Sequence, residues 1–159
     1  MRKRIAWGVL ASCAICLAGC QAYTAHDKTY KSLIGTWVLD SVYIDSKPVK
    51  FEKQTIAFTK EEKGTIIDTV IVKESVYDDD GNLITPEETD QTTKNFSVST
   101  SESDDGRLTI TTSDGEVTNY EFAVDVPAQV LHLFMDTEEG GVRHLLYLEA
   151  SALSPPSQE

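Results

Sequence analysis

The sequence predicts an all-β protein, an antiparallel up-and-down meander of eight strands closed into a barrel. Three observations carry that expectation. Thr, Val and Ile, whose branched side chains favour a pleated surface, supply 37 of the 140 residues from Cys20 onward. Eight separate windows show apolar runs or apolar residues at every second position, and none sustains a helical repeat over three turns. Asp105-Gly106, Asp114-Gly115 and Gly140-Gly141 stand between consecutive windows, where left-handed backbone angles close tight hairpins.

The elements follow in order. Arg2, Lys3 and Arg4 precede the uncharged stretch Ile5–Ala18, which ends in Leu17-Ala18-Gly19-Cys20. Fourteen uncharged residues are short for a bilayer span and suit a secretory leader. Basic start, apolar run and a small-residue site before cysteine together resemble a bacterial lipoprotein signal peptide with its lipobox. That resemblance implies cleavage after Gly19, diacylglycerol on the Cys20 sulfur and an acylated new amine, so that residues 1–19 are leader. Residues 20–32 are then lipidated Cys20 and a polar, flexible tether, and 33–150 form the barrel. Residues 151–159, with Pro155 and Pro156, read as a disordered tail.

Within the barrel, GTWVLDSVYI (35–44) sets Trp37, Leu39, Ser41 and Tyr43 on one face. QTIAFTK (54–60) pairs Ile56 with Phe58, and TIIDTVIVKES (65–75) is long and apolar. KNFSVSTSE (94–102) points Phe96, Val98 and Thr100 inward. RLTITTS (107–113) offers Leu108 and Ile110, and EVTNYEFAV (116–124) offers Tyr120, Phe122 and Val124. QVLHLFMD (129–136) and VRHLLYLE (142–149) complete the series. One buried and one solvated face is what period-two alternation requires. Closing the meander removes its exposed edges; a two-sheet sandwich is the alternative closure.

Charge and cysteine usage set the class. The chain has 14 Lys+Arg, 26 Asp+Glu and a formal net charge of −12. Losing Arg2, Lys3 and Arg4 with the leader leaves 11 basic against 26 acidic residues, or about −15. Such a surface repels a polyanion, which excludes nucleic-acid binding. Cys13 and Cys16 leave with the leader, so an exported domain without disulfides must hold itself by its core. Acyl chains on Cys20 would attach the protein to a membrane. Gln21 follows Cys20 with no acidic residue directly after it, which by resemblance to enteric sorting rules implies the outer membrane.

Leu33-Ile34-Gly35-Thr36-Trp37 resembles the Gly-x-Trp motif of the lipocalins, and the order lipobox, tether, GTW strand, meander resembles the bacterial lipocalin-like lipoproteins. Phe58 followed by Lys63-Gly64-Thr65 agrees with the second and third strands of that pattern. The resemblance implies a lipocalin-like barrel over 33–150, with Gly35 turning the chain into the first strand and Trp37 plugging the closed end. Lipocalins place an arginine over that tryptophan near the end of the last strand. Here that region reads LLYLEA, and Arg143 lies at the strand's other end.

Two sites are expected. An eight-stranded barrel can be filled or can hold one small ligand, and Tyr43, Phe58, Phe96, Tyr120 and Phe122 are the candidate cavity. The large aromatics favour a mostly filled interior with a shallow cavity. In an up-and-down meander, alternate loops share an end, so 46–53, 76–93, 114–115 and 136–141 should lie opposite Trp37. They carry Asp78, Asp79, Asp80, Glu87, Glu88, Asp90, Asp114, Asp136, Glu138 and Glu139, an acidic rim that would attract a cationic ligand, peptide or metal ion or serve as a solubilising face. YDDDGN fails as an EF-hand loop because its first ligand position is Val76. His132 and His144 can pair across the last hairpin but lack a further nearby ligand. No catalytic motif, metal site or cofactor signature is present. The expectation is therefore a monomeric, non-enzymatic binding module taking a small apolar molecule or peptide. The alternative is a filled barrel that docks an envelope or host protein.

Overall fold

The structure, a computed structural model, describes residues 26–101, 103 and 105–153. Cys20, its tether residues 21–25 and the tail 154–159 lie outside the described residues. A helical turn, α1 (Tyr30–Leu33), precedes strands β1 (Gly35–Ile44), β2 (Lys47–Val49), β3 (Lys53–Phe58) and β4 (Lys63–Lys73). A small hairpin of β5 (Val76–Tyr77) and β6 (Leu83–Thr85) follows, then β7 (Glu88–Thr100), β8 (Arg107–Thr112), β9 (Val117–Asp125), β10 (Val130–Asp136) and β11 (Val142–Glu149). A 3-10 turn, Ala150–Leu153, takes up the start of the expected tail.

Each strand from β7 onward pairs antiparallel with the next, and β1 pairs with β11 from Trp37 opposite Glu149 to Ile44 opposite Arg143. The circuit β1-β3-β4-β7-β8-β9-β10-β11 is a closed eight-stranded antiparallel barrel. β2 and β3 act as one interrupted partner of β1. Val42 faces Val49 while Val38 faces Thr55, so three residues of β1 oppose five, and the surplus of two bows the segment Lys50-Phe51-Glu52 out of the ladder.

The core lies within Leu33–Tyr147. Trp37, Ile56, Phe58, Phe96, Leu108, Phe122, Leu131, Leu133 and Tyr147 are all buried. Burying one such side chain stabilises by roughly 1.5–3 kcal/mol, and the closed ladder leaves the barrel no unpaired edge along its lower half. The described residues thus hold the whole closed barrel. Among the described residues no helix is long and apolar enough to cross a membrane.

The expected tether is shorter than 20–32. Asp27 bridges to Val124 with both backbone hydrogen bonds at 2.8 Å. The Asp27 carboxylate accepts the Thr29 N–H and hydroxyl, which hold it below the usual carboxylate range. The turn then seats Leu33, with no solvent exposure, beneath Trp37, whose indole N–H donates to Leu33 O at 2.8 Å. Gly35 has φ +141°, a conformation that side chains resist, and it turns the chain into β1. The closed end is therefore built from α1, Gly35 and Trp37.

One strand changes phase. The β1–β11 register shifts between Leu39 and Ser41, a β-bulge that leaves Asp40 without a partner. Beyond it Val42, 1% exposed, is the inward residue. The sequence expectation for Tyr43 is corrected accordingly: it lies on the outer face, opposite His144. The bulge is the physical reason.

Candidate functional site

The inward residues change character along the barrel axis. From the closed end to the open one, β3 presents Phe58, Ile56 and Gln54, and β4 presents Gly64, Ile66 and Asp68. β8 presents Leu108, Ile110 and Thr112, β9 presents Val124, Phe122, Tyr120 and Thr118, and β11 presents Tyr147, Leu145 and Arg143. Packed apolar layers form a floor, and a polar cup stands above it. The cup is a half-open depression of about 670 Å³ at the end opposite Trp37. Its wall includes Leu39, Gln54, Asp68, Tyr120, Met135 and Arg143, with the displaced Lys50-Phe51-Glu52 segment at its lip.

The polar groups of one wall satisfy each other. The Tyr147 hydroxyl donates to Gln54 Oε1 at 2.5 Å, and Gln54 Nε2 donates to Asp68 Oδ1 at 2.7 Å. Burial pushes the Tyr147 phenol well above the usual tyrosine range, with Tyr120 and Asp68 adding to the shift and Arg143 opposing it. Burial likewise raises Tyr120, and Arg143 again opposes. Arg143 lies in the same inward row of β11 as Tyr147, four residues nearer the open end. Its own Nε is buried and has no hydrogen-bond partner among the described residues. The ion pairs among the described residues are Lys73–Glu88, Lys94–Asp114, Lys94–Glu116 and Arg107–Asp105, none of which includes Arg143.

Of the expected cavity residues, only Tyr120 lines the cup. Phe58, Phe96 and Phe122, 3%, 5% and 3% exposed, belong to the floor, where Phe58 and Phe96 meet edge to face at 5.4 Å. Tyr43 is outside. Gln54, Asp68, Thr118 and Arg143 escaped the sequence reading because polar residues at strand ends pass for solvent-facing ones. Their phase was the available signal, since Arg143 is two residues from Leu145 and Gln54 two from Ile56.

The topology places the expected acidic loops at the open end, but as dispersed side chains. Asp78 caps the β5–β6 turn by accepting the N–H groups of Asp80 and Asn82, which lowers its pKa, the Asn82 side-chain amide contributing most. Glu88 pairs with Lys73 at 3.9 Å. Asp79, Glu87, Asp136, Glu138 and Glu139 are exposed. Among the described residues no group of three or more His, Cys, Asp or Glu is arranged to hold a metal ion.

Two further surfaces stand out. On the outer face, His132 Nδ1 and His144 Nε2 share a hydrogen bond of 2.9 Å. Phe134 stacks on His144 at 4.3 Å and Tyr43 stacks on its other side at 5.7 Å, while His26 meets His132 edge-on at 5.6 Å. Burial lowers both ring pKa values, and for His132 the neighbouring imidazoles add to it. At the open end, β3 ends opposite Thr69 and β8 pairs no further than Phe96. Residues 70–73 and 88–90 thus continue as a two-stranded arm. Val70, Ile71, Val72, Val76, Tyr77, Leu83 and Ile84 of the arm and its tip are all exposed.

No protein-family model matches this sequence. No curated protein matches it either. Among solved structures, it is similar to a redesigned β-barrel at 13% sequence identity and a TM-score of 0.40, covering 75% of this chain and 92% of that one.

Proposed function

We propose that this protein is a lipid-anchored lipoprotein of the bacterial cell envelope whose lipocalin-like barrel binds a small molecule at its open end. The single observation that supports ligand binding is the cup. It is a concave site of ligand size, with an apolar floor and a few convergent polar groups on a rigid wall. The anchor rests on the leader ending in Leu17-Ala18-Gly19-Cys20, and the outer membrane on the absence of an acidic residue beside Gln21. With Trp37 and α1 toward the tether, the cup would face away from the membrane surface. The lining shifts the expected ligand from a purely apolar molecule to an amphipathic one.

Two measurements test this reading. Cys20→Ser should abolish leader processing and release the protein from membranes, and continued membrane fractionation of the variant would overturn the anchor. Native mass spectrometry of the barrel taken from its own host should find a small molecule retained in substoichiometric or full amount. Recovery of the apo mass alone, with no binding from a library of amphipathic compounds, would overturn the binding reading. The arm supports a second reading, docking of an envelope or host protein, because seven exposed apolar side chains are carried by this ribbon and its tip. Cross-linking from Ile71 in cells separates the two.

A further inference from the structure

Building on the ligand-binding reading above, we infer that the cup also opens sideways, between β9 and β10, and that its ligand is a single-chain amphiphile with an uncharged, hydroxyl-rich head. The ladder between these two strands stops early. It runs from Asp125 opposite Val130 to Glu121 opposite Phe134, although β9 begins at Val117 and β10 continues to Asp136. On their other sides the same strands stay paired, β9 with β8 as far as Val117 opposite Thr111, and β10 with β11 as far as Asp136 opposite Val142. Among the described residues no ladder pair joins 117–120 to 135–136. The upper wall therefore has a seam that can part without breaking a ladder hydrogen bond.

A groove of about 580 Å³ lies at this seam. Tyr120 and Met135, whose inward phase puts them in the wall of the cup, line the groove as well, so the two depressions meet at this pair. Methionine is unbranched and repacks readily, which suits a side chain that must yield to a passing alkyl chain. Leu39, Leu145 and Phe51 give that chain apolar surface inside the cup. The outer part of the groove has a different chemistry. Phe134, stacked on His144 at 4.3 Å, borders it beside Arg107, Asn119, Glu121 and Asp136. The Thr109 hydroxyl donates to Asn119 Oδ1 at 2.7 Å, which leaves Asn119 Nδ2 as a donor. Donors and acceptors thus alternate around an aromatic ring, a set that hydroxyl groups match because each both donates and accepts. Glu121 and Asp136 outnumber Arg107, so an anionic head is repelled. All three are exposed, where water screens any single added charge, and hydrogen bonds to hydroxyls carry the recognition instead.

The experiment titrates the chain from Gln21 to Glu159, which holds the whole closed barrel, with octyl glucoside, methyl glucoside, 1-octanol and octyltrimethylammonium. Each probe stays below its micelle concentration, and backbone amides are followed by NMR. Octyl glucoside should shift the amides of Asn119 and Glu121 together with those of Leu39 and Leu145. It should bind at least tenfold more tightly than each of the other three. Asn119→Ala combined with Glu121→Ala should remove most of its advantage over 1-octanol and leave 1-octanol binding unchanged. Met135→Trp, which fills the seam, should weaken octyl glucoside at least tenfold and leave methyl glucoside unaffected. Met135→Ala, which cannot overpack, should speed octyl glucoside association severalfold. Equal binding of 1-octanol and octyl glucoside, with Asn119 and Glu121 undisturbed, would overturn the assigned head, as would tighter binding of octyltrimethylammonium. Affinity and rate indifferent to both Met135 variants would overturn the lateral route. Absence of binding by all four probes would overturn the amphiphile assignment; absence of any retained host ligand as well would overturn the binding reading beneath it.

Discussion

The packing of Gly64 against Phe96 makes a quantitative prediction about the barrel floor. Gly64 in β4 lies opposite Phe58 on one side and Phe96 on the other. A Cβ built there would stand 2.0 Å from the Ala57 carbonyl oxygen and 2.3 Å from the Phe96 ring. An ordinary C···O approach is about 3.3 Å, so Gly64→Ala requires β3 and β4 to part by about 1 Å. Strand spacing in a ladder is nearly fixed, near 4.8 Å. Parting would therefore break the neighbouring ladder bonds at ~1 kcal/mol each, on top of the ~1–3 kcal/mol of overpacking in a dense core.

The expected loss is about 3–4 kcal/mol, read by urea unfolding, or roughly 10–15 °C in Tm for a domain of this size. Gly35→Ala is the control, because no atom lies within 4 Å of its Cβ and only the φ of +141° opposes it. That variant should lose about 1–2 kcal/mol. Phe96→Leu should cost more in the native background than in Gly64→Ala, where it relieves the ring overlap, so the double-mutant cycle should show coupling of ~1 kcal/mol. A Gly64→Ala loss below 1 kcal/mol, or strict additivity with Phe96→Leu, would refute the claim that this glycine exists to admit the ring.

Other variants probe the rest of the molecule. Arg143→Met removes a half-buried guanidinium whose Nε has no acceptor among the described residues and should raise apo-barrel stability by about 1 kcal/mol; a comparable loss would make the guanidinium a structural group. Trp37→Phe strips the donor from the Leu33 carbonyl at the closed end and should cost ~1–3 kcal/mol, measured by thermal unfolding; an unchanged Tm would show that the indole bond contributes nothing. Burial holds His132 and His144 below the ordinary histidine range, so their contribution to stability is present above the unfolded pKa of about 6.5 and is lost as pH falls through the folded values. The urea midpoint should therefore drop on acidification below that value, and drop less in His144→Gln. Parallel pH profiles of the two proteins would contradict this.

The fold was legible in the sequence because alternation and hairpin glycines are local signals. Phe96 and Val98, or Leu108 and Ile110, declare their face within a few residues, and Asp114-Gly115 marks a chain reversal without reference to anything distant. The bulge at Asp40 went unread although Leu39-Asp40-Ser41-Val42 sets two polar residues side by side, because Trp37, Leu39 and Tyr43 keep a period of two across it and only the register with β11 displaces the phase. Tyr43 was misplaced for that reason. The helical turn at Tyr30–Leu33 is too short for a periodic pattern and is held by tertiary contacts, including the Tyr30 hydroxyl donating to Thr59 O at 2.6 Å. The cup was half legible. Its position followed from strand parity, while its chemistry lay in polar residues that read as surface until neighbouring strands enclosed them.

The gradient from apolar floor to polar cup separates what keeps the barrel folded from what it recognises. Floor residues such as Leu131 and Phe122 carry the stability and admit little change, whereas Gln54, Thr118 and Arg143 sit where substitution alters chemistry at modest thermodynamic risk. Selection acting on the lip and upper wall can therefore exchange one ligand for another while the lower half is held constant. Divergent descendants of such a chain would retain their closed end and differ at the rim, an arrangement in which specificity evolves faster than architecture.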